Sequence, residues 1–270
     1  MNDKAMNHGA MQAVEYVQRV PIADDTDAHR GVWGGAHRAE AADVLATAFE
    51  TTSPQAAIAG ADVFTFAEGV TPEGRQAVLT SALLAQLAAR KQVPDLANFE
   101  GWYRAYFDVL SNTGWAVEAV EFKEYQQESN DFDAHNAILD IAAVVLAGSV
   151  TGIALVTATL KALQKMSSED PWIQVFKSES HSAHAARFQI GFVDPEEGGR
   201  LRVKIMSFSL DAELNKVQVL FFRSEMSAVT FRHSSADLAG DLEILRTTRD
   251  AVRARLAGRA NRYIGEINID

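Results

Sequence analysis

The chain has 270 residues, 47% of them hydrophobic, a formal net charge of −11 and no cysteine. That is enough apolar material to bury a core in one large domain or two modest ones without covalent staples. The missing cysteines exclude disulfides, thiolate metal sites and cysteine nucleophiles, and the acidic balance argues against nucleic-acid binding through a general basic surface.

The charge is unevenly spread. Residues 1–166 hold 11 Lys and Arg against 21 Asp and Glu, whereas residues 167–270 hold 14 against 15. The break falls where the apolar pattern changes period, which predicts two units: an acidic helical bundle over 1–166 and an antiparallel, β-rich α+β unit over 167–270. The N-terminal MNDKAMNHGAMQAVEYV has neither a basic n-region nor an unbroken apolar h-region, so no standard secretory signal is expected. A cytoplasmic protein, or one released by a route that reads no such signal, is the corresponding expectation.

Taken in order, Val14, Val17 and Val20 recur on one side of a short helix stopped by Pro21. A polar, Gly-rich loop comes next, then a helical pattern over Ala39 to Phe49. Thr71-Pro72 places a capping threonine before a proline at the first helical position, and Val78, Leu83, Leu84 and Leu87 continue at helical spacing to Arg90-Lys91. Between Asn98 and Tyr125, Phe99, Trp102, Tyr103, Tyr106 and Phe107 form an aromatic face, which predicts packing against the next, apolar helix; Gly114 is placed to split the segment into two helices.

That apolar helix is expected to start near Asp131 or Asp133 and to run to Met166, about 34 residues. Its centre, Ile141 to Leu160, is 20 residues without a charge, bounded by Asp140 and Lys161. A helix apolar on all sides suits either a bilayer or the hub of a bundle. Gly148 and Gly152 form a GxxxG pair at which a second helix could approach closely. Ile141, Val145, Gly148, Gly152 and Leu155 are therefore the candidate helix-packing or membrane-inserting residues.

From Pro171 the pattern becomes alternating. Phe188, Ile190 and Phe192, the turn DPEEGG, then Leu201, Val203 and Ile205 predict a hairpin. The apolar phase then slips to Met206, Phe208 and Leu210, which predicts a bulge near Ile205-Met206 that keeps both sets on one buried face. Val217, Val219 and Phe221, then Val229 and Phe231, add two more strands; Leu238 to Leu256 is a helix and Tyr263 to Ile269 a last strand. The fold class expected is α+β, with the N-terminal helices around one central apolar helix followed by an antiparallel sheet layer.

Three constellations have chemical possibilities. Asp25, Asp27 and His29, and again Asp131, Asp133 and His135, share the pattern Asp-x-Asp-Ala-His, which could supply carboxylate and imidazole ligands to a divalent metal; acidic residues before a helix also serve as caps. His181 and His184 lie three apart before a strand. Arg200, Arg202 and Lys204 alternate on one strand face, with Arg232 expected on the same side, as an anion-binding row or a solvated outer face. There is no HExxH, GxSxG, Walker loop or GxGxxG, and no cofactor is expected.

The reading preferred from sequence is a membrane-active, toxin- or virulence-like protein whose apolar helix is released from cover to insert or oligomerise. It is similar in plan, though not in residues, to helical pore-forming proteins. Its partners would be a membrane, a protein receptor or further copies of the chain, with no nucleic acid. The alternative is a non-enzymatic interaction or assembly protein with a permanently buried hub helix. A metal-dependent hydrolase using the Asp/His clusters stands third.

Overall fold

The computed structural model describes residues 2–23, 52–95, 98–125, 132–180, 185–212, 219–224, 229–257, 259, 263–267 and 269. Its helices are α1 (Asn2–Arg19), α2 (Pro72–Gln92), α3 (Phe99–Asn112), α4 (Ala134–Val145), α5 (Val150–Lys165), α6 (Pro171–Ser180) and α7 (Leu242–Arg255). Its strands are β1 (Gln55–Ala59), β2 (Asp62–Phe66), β3 (Trp115–Glu124), β4 (Phe132–Asp133), β5 (Ala185–Glu196), β6 (Arg200–Asp211), β7 (Arg223–Ser224), β8 (Thr230–Asp241) and β9 (Ile264–Ile267). Seven strands form one mixed sheet in the order β3-β8-β6-β5-β2-β1-β9, and β4 pairs with β7 beside it. Only β2 and β5 run parallel; the other neighbours in the large sheet are antiparallel.

The protein is an α+β fold with helices on both faces of this sheet. On the first face Phe64, Val193, Leu201, Val203 and Ile205 join residues of α1, α2, α3 and α7 in one apolar core. On the second, Ile58, Val63, Phe188, Ile190, Phe192, Met206 and Phe208 join residues of α4, α5 and α6 in another. Two covered faces explain the change of phase in β6. Leu201, Val203 and Ile205 point to the first core and Met206, Phe208 and Leu210 to the second, so both parities are apolar where both layers exist. The predicted bulge is absent: β5 and β6 keep one register from Ala185↔Asp211 to Glu196↔Arg200. The register shift that does occur lies in β3, between Val117 and Ala119.

The predicted boundary at residue 166 runs through the sheet. β2 pairs with β5 and β3 with β8 across it, and Val17 and Val20 of the N-terminal end share a core with Val252 and Leu256. The change of pattern at that point marks a change from helical to strand-rich sequence within one sheet-centred structure.

The single central helix is also replaced. Ile141–Leu160 belongs to two helices, α4 and α5, laid on the second sheet face. Gly148 turns the chain with φ +91°, and the Ser149 hydroxyl accepts the Gly152 amide at 3.0 Å to cap α5, a stop and a start within two residues. The glycine pair is thus not one helix's packing stripe. A Cβ on Gly148 would meet nothing within 4 Å, whereas one on Gly152 would lie 3.1 Å from the Phe192 ring.

The aromatic face of α3 is buried as expected, but in the first core, across the sheet from α4 and α5. Trp102 and Tyr106 stack at 5.4 Å and Tyr106 meets Phe107 edge-on at 5.3 Å. Gly114, φ +110°, ends α3, and the next element is β3, not a second helix. Thr71 caps α2 through the Gly74 amide at 3.2 Å, with Pro72 in the first turn, as the sequence predicts. Val219–Phe221 is a 3₁₀ turn in place of the expected strand, and β8 runs on through Leu238 to Asp241, which caps α7. The pattern over Ala39 to Phe49 and Val217 lie outside the described residues.

Candidate functional site

Of the predicted metal ligands, Asp25, Asp27, His29 and Asp131 lie outside the described residues, as do His181 and His184. Asp133 acts as a helix cap: its carboxylate accepts the Asn136 amide at 3.2 Å and pairs with Arg223 at 2.8 Å. His135 lies against the Phe221 ring, 5.5 Å between centroids. Among the described residues no group of three or more His, Asp or Glu is placed to hold a metal ion.

The predicted basic row is split between faces and neutralised. Arg202 reaches Asp237 at 3.2 Å, Glu118 at 3.5 Å and Glu196 at 3.6 Å, and Lys204 reaches Asp237 at 3.0 Å. The hydrogen bond that Arg202 donates to Asp237 holds the guanidinium pKa above its ordinary value. Arg200 is exposed at the hairpin end. Arg232 stands opposite Ser209, hence on the other sheet face, and pairs with Asp211 at 2.7 Å. These are cross-strand ion pairs on a half-covered sheet, an arrangement that needs no bound anion.

What the structure does bring together is the charge-free segment and the part of the sheet it leaves uncovered. Ile141 is buried in the second core, Gly152 is buried, and Val145 and Leu155 are half-buried. The outward side of the same segment, Ala143, Val144, Ala147, Gly148, Val150, Thr151 and Ala154, is exposed, with Val144 at 76% and Val150 at 84%. The two valines flank the Gly148 turn. An apolar, uncharged tip is therefore offered to solvent at the α4–α5 junction.

Beside that tip, α4 overhangs β3, β8 and β6 to enclose a cleft of about 470 Å³. Ile141, Val144 and Val145 form its apolar wall; Lys123, Lys204, His233, Ser235 and Asp237 form the opposing side. The Tyr125 hydroxyl donates to Asp140 at 2.9 Å, tying the outer strand to α4 at the cleft's edge. Burial, then the Asp140 carboxylate, pushes the Tyr125 phenol up to about 12. Burial and the neighbouring Lys123 ammonium lower His233, which keeps its imidazole neutral at pH 7.

The turn has a local sequence signal, since Gly148-Ser149 is a helix stop followed by a cap. The cleft has none, because Lys123 and His233 meet only through pairing of β3 with β8, a long-range contact that no local periodicity encodes.

No protein-family model matches the chain, and no curated protein does. Among solved structures the chain is similar to one titled "DELTA-ENDOTOXIN", at 17% identity and TM-score 0.38 over 67% of this chain and 80% of that chain. It is similar to activated Cyt2Ba monomer from Bacillus thuringiensis subsp. israelensis at 15% identity and TM-score 0.33, over 66% and 95% of the two chains. The Evf virulence factor stands at 13% identity and TM-score 0.30, over 84% and 88%. Likenesses of this size carry no inference about activity.

Proposed function

We propose that this protein is membrane-active, a toxin- or virulence-like factor that engages a bilayer through the α4–α5 turn. The observation that supports this most is the position of Val144 and Val150, the two most exposed large apolar side chains among the described residues, on either side of one turn inside a 20-residue charge-free run. No described helix is long and apolar enough to cross a membrane. The turn therefore lodges in the interfacial layer, where a few apolar side chains bind reversibly and several copies act together. The net charge of −11 repels anionic lipid, which favours zwitterionic bilayers as the target.

The test is co-sedimentation with phosphatidylcholine vesicles and leakage of an entrapped dye from pH 4 to 8. The wild type binds; Val144→Glu with Val150→Glu, both at exposed positions, keeps its melting temperature and loses affinity about tenfold or more, since about 1.4 kcal/mol of lost apolar transfer is tenfold. Intact, unbound vesicles throughout that range overturn the reading in favour of an interaction or assembly protein that docks through the same valines.

A further inference from the structure

We infer that the cleft between α4 and the outer strands is a binding site for a zwitterionic amphiphile, its head on the strand side and its first methylenes along Ile141, Val144 and Val145. The inference rests on the membrane reading for the nature of the ligand; the cleft shares Val144 with the exposed tip, while Val150 belongs to the tip alone.

Three features of the cleft select this class. Its volume, about 470 Å³, is that of sites for ligands of drug size. Its two sides differ in kind: the α4 wall is hydrocarbon, while the strand side offers hydroxyl, imidazole, ammonium and carboxylate groups. A wholly polar ligand would leave the wall wet, and a wholly apolar one would strip water from Lys204 and Asp237 without replacing it.

Its charges are balanced, Lys123 and Lys204 against Asp140 and Asp237, with the imidazole of His233 neutral. The pairs are already formed at 3.0 Å between Lys204 and Asp237, and Asp140 is held by Tyr125 at 2.9 Å. A ligand with net charge gains from one sign and is repelled by the other. A head with separated opposite charges lays its anionic part toward the lysines and its cationic part toward the carboxylates without undoing either contact. Ser235 opens the strand side between His233 and Asp237, where a larger side chain would fill the space.

The experiment uses the full chain and short-chain probes below their micellar concentrations: dihexanoylphosphatidylcholine, octyl glucoside and octyl sulfate, followed by amide chemical-shift mapping and calorimetry. Saturable binding of the phosphatidylcholine with shifts confined to α4, β3, β8 and β6, at least fivefold tighter than either other probe, is the expected result. Ser235→Phe, which fills the cleft and leaves the tip unchanged, lowers that affinity tenfold or more, while Val150→Glu, which alters the tip and not the cleft, leaves it unchanged. Tighter binding of the sulfate or the glucoside, an unaffected Ser235→Phe variant, or no saturation by the phosphatidylcholine overturns the assignment. Monomer binding with no vesicle association would instead leave the cleft standing and remove the proposed bilayer action.

Discussion

Asp62 is a carboxylate that the fold takes wholly out of water. It is fully buried on β2, and its carboxylate accepts the Tyr106 hydroxyl and the Gln189 amide, each at 3.1 Å, while the Ser207 hydroxyl donates to Gln189 at 3.1 Å. Burial raises its pKa well above the ordinary carboxylate value, and the hydrogen bonds only partly oppose this. A folded pKa above the unfolded one means that stability is fully present below the unfolded value, about 4, and is lost as pH rises towards the folded value. Asp62→Asn keeps a side chain able to bond Tyr106 and Gln189 and removes the ionisation. It should raise the melting temperature by several degrees at pH 8, about 1–2 kcal/mol, and leave it nearly unchanged at pH 3.5; equal melting temperatures at pH 8 would refute this account. None of the network could be read from sequence. Gln86 serves the same layer, donating to the Ala59 carbonyl at 2.7 Å and accepting the Ala61 amide at 2.9 Å, and Gly60 lies so close that a Cβ there would stand 2.6 Å from the Gln86 oxygen. Partners 18 or more residues apart leave no local trace.

Between elements, the legible signals were caps and hairpins, and the illegible ones were layers. Thr71-Pro72 marked α2, and the alternation around DPEEGG marked β5 and β6, because in each case the chain's own neighbours complete the hydrogen bonds. The α4–α5 segment carries no such signal of its layer because uniform apolarity hides periodicity; a helix half-buried against a sheet and one buried on all sides read alike when every residue is small or hydrophobic. The break at Gly148 makes a prediction whose sign separates the two arrangements. In one continuous helix Gly148→Ala stabilises by about 1 kcal/mol, because glycine is the poorer helix former. With φ +91° the same change strains the turn, so it should destabilise by about 1–2 kcal/mol in urea unfolding. Ser149→Ala, which removes the cap on Gly152, should cost about 1 kcal/mol as well. A stabilised Gly148→Ala variant would mean that α4 and α5 are joined.

Across the whole molecule, the sheet holds two unequal layers. On the first face α2 buries 13 of its 21 residues and α3 buries 8 of 14. On the second, α4 buries 5 of 12 and α5 buries 5 of 16. Apolar burial is the main force holding a helix to a sheet, so the α2–α3 pair and the α4–α5 pair differ in the free energy needed to lift them. Polar ties of the second layer among the described residues include Asp133 to Arg223 at 2.8 Å, Asp140 to Tyr125 at 2.9 Å, a buried hydrogen bond between Thr65 and Thr159 at 2.9 Å, and the ion pair of Glu179 on α6 with Arg90 on α2. The first two are exposed enough for water to compete with them. Charge follows the same division, since the segment from Ile141 to Leu160 that covers the second face carries none, so solvation of charged groups does not oppose its transfer to an apolar phase. Local opening free energies scale with what is buried, and hydrogen exchange reads them. Amides of α4 and α5 should therefore exchange at least tenfold faster than those in the buried centres of α2 and α3 under native conditions, and Tyr125→Phe, which removes the tie to Asp140, should speed α4 further while leaving α2 unchanged. Equal protection in the two layers would mean that the second is held as firmly as the first, and the proposed bilayer engagement would then have to proceed through the exposed turn alone, with α4 and α5 still in place.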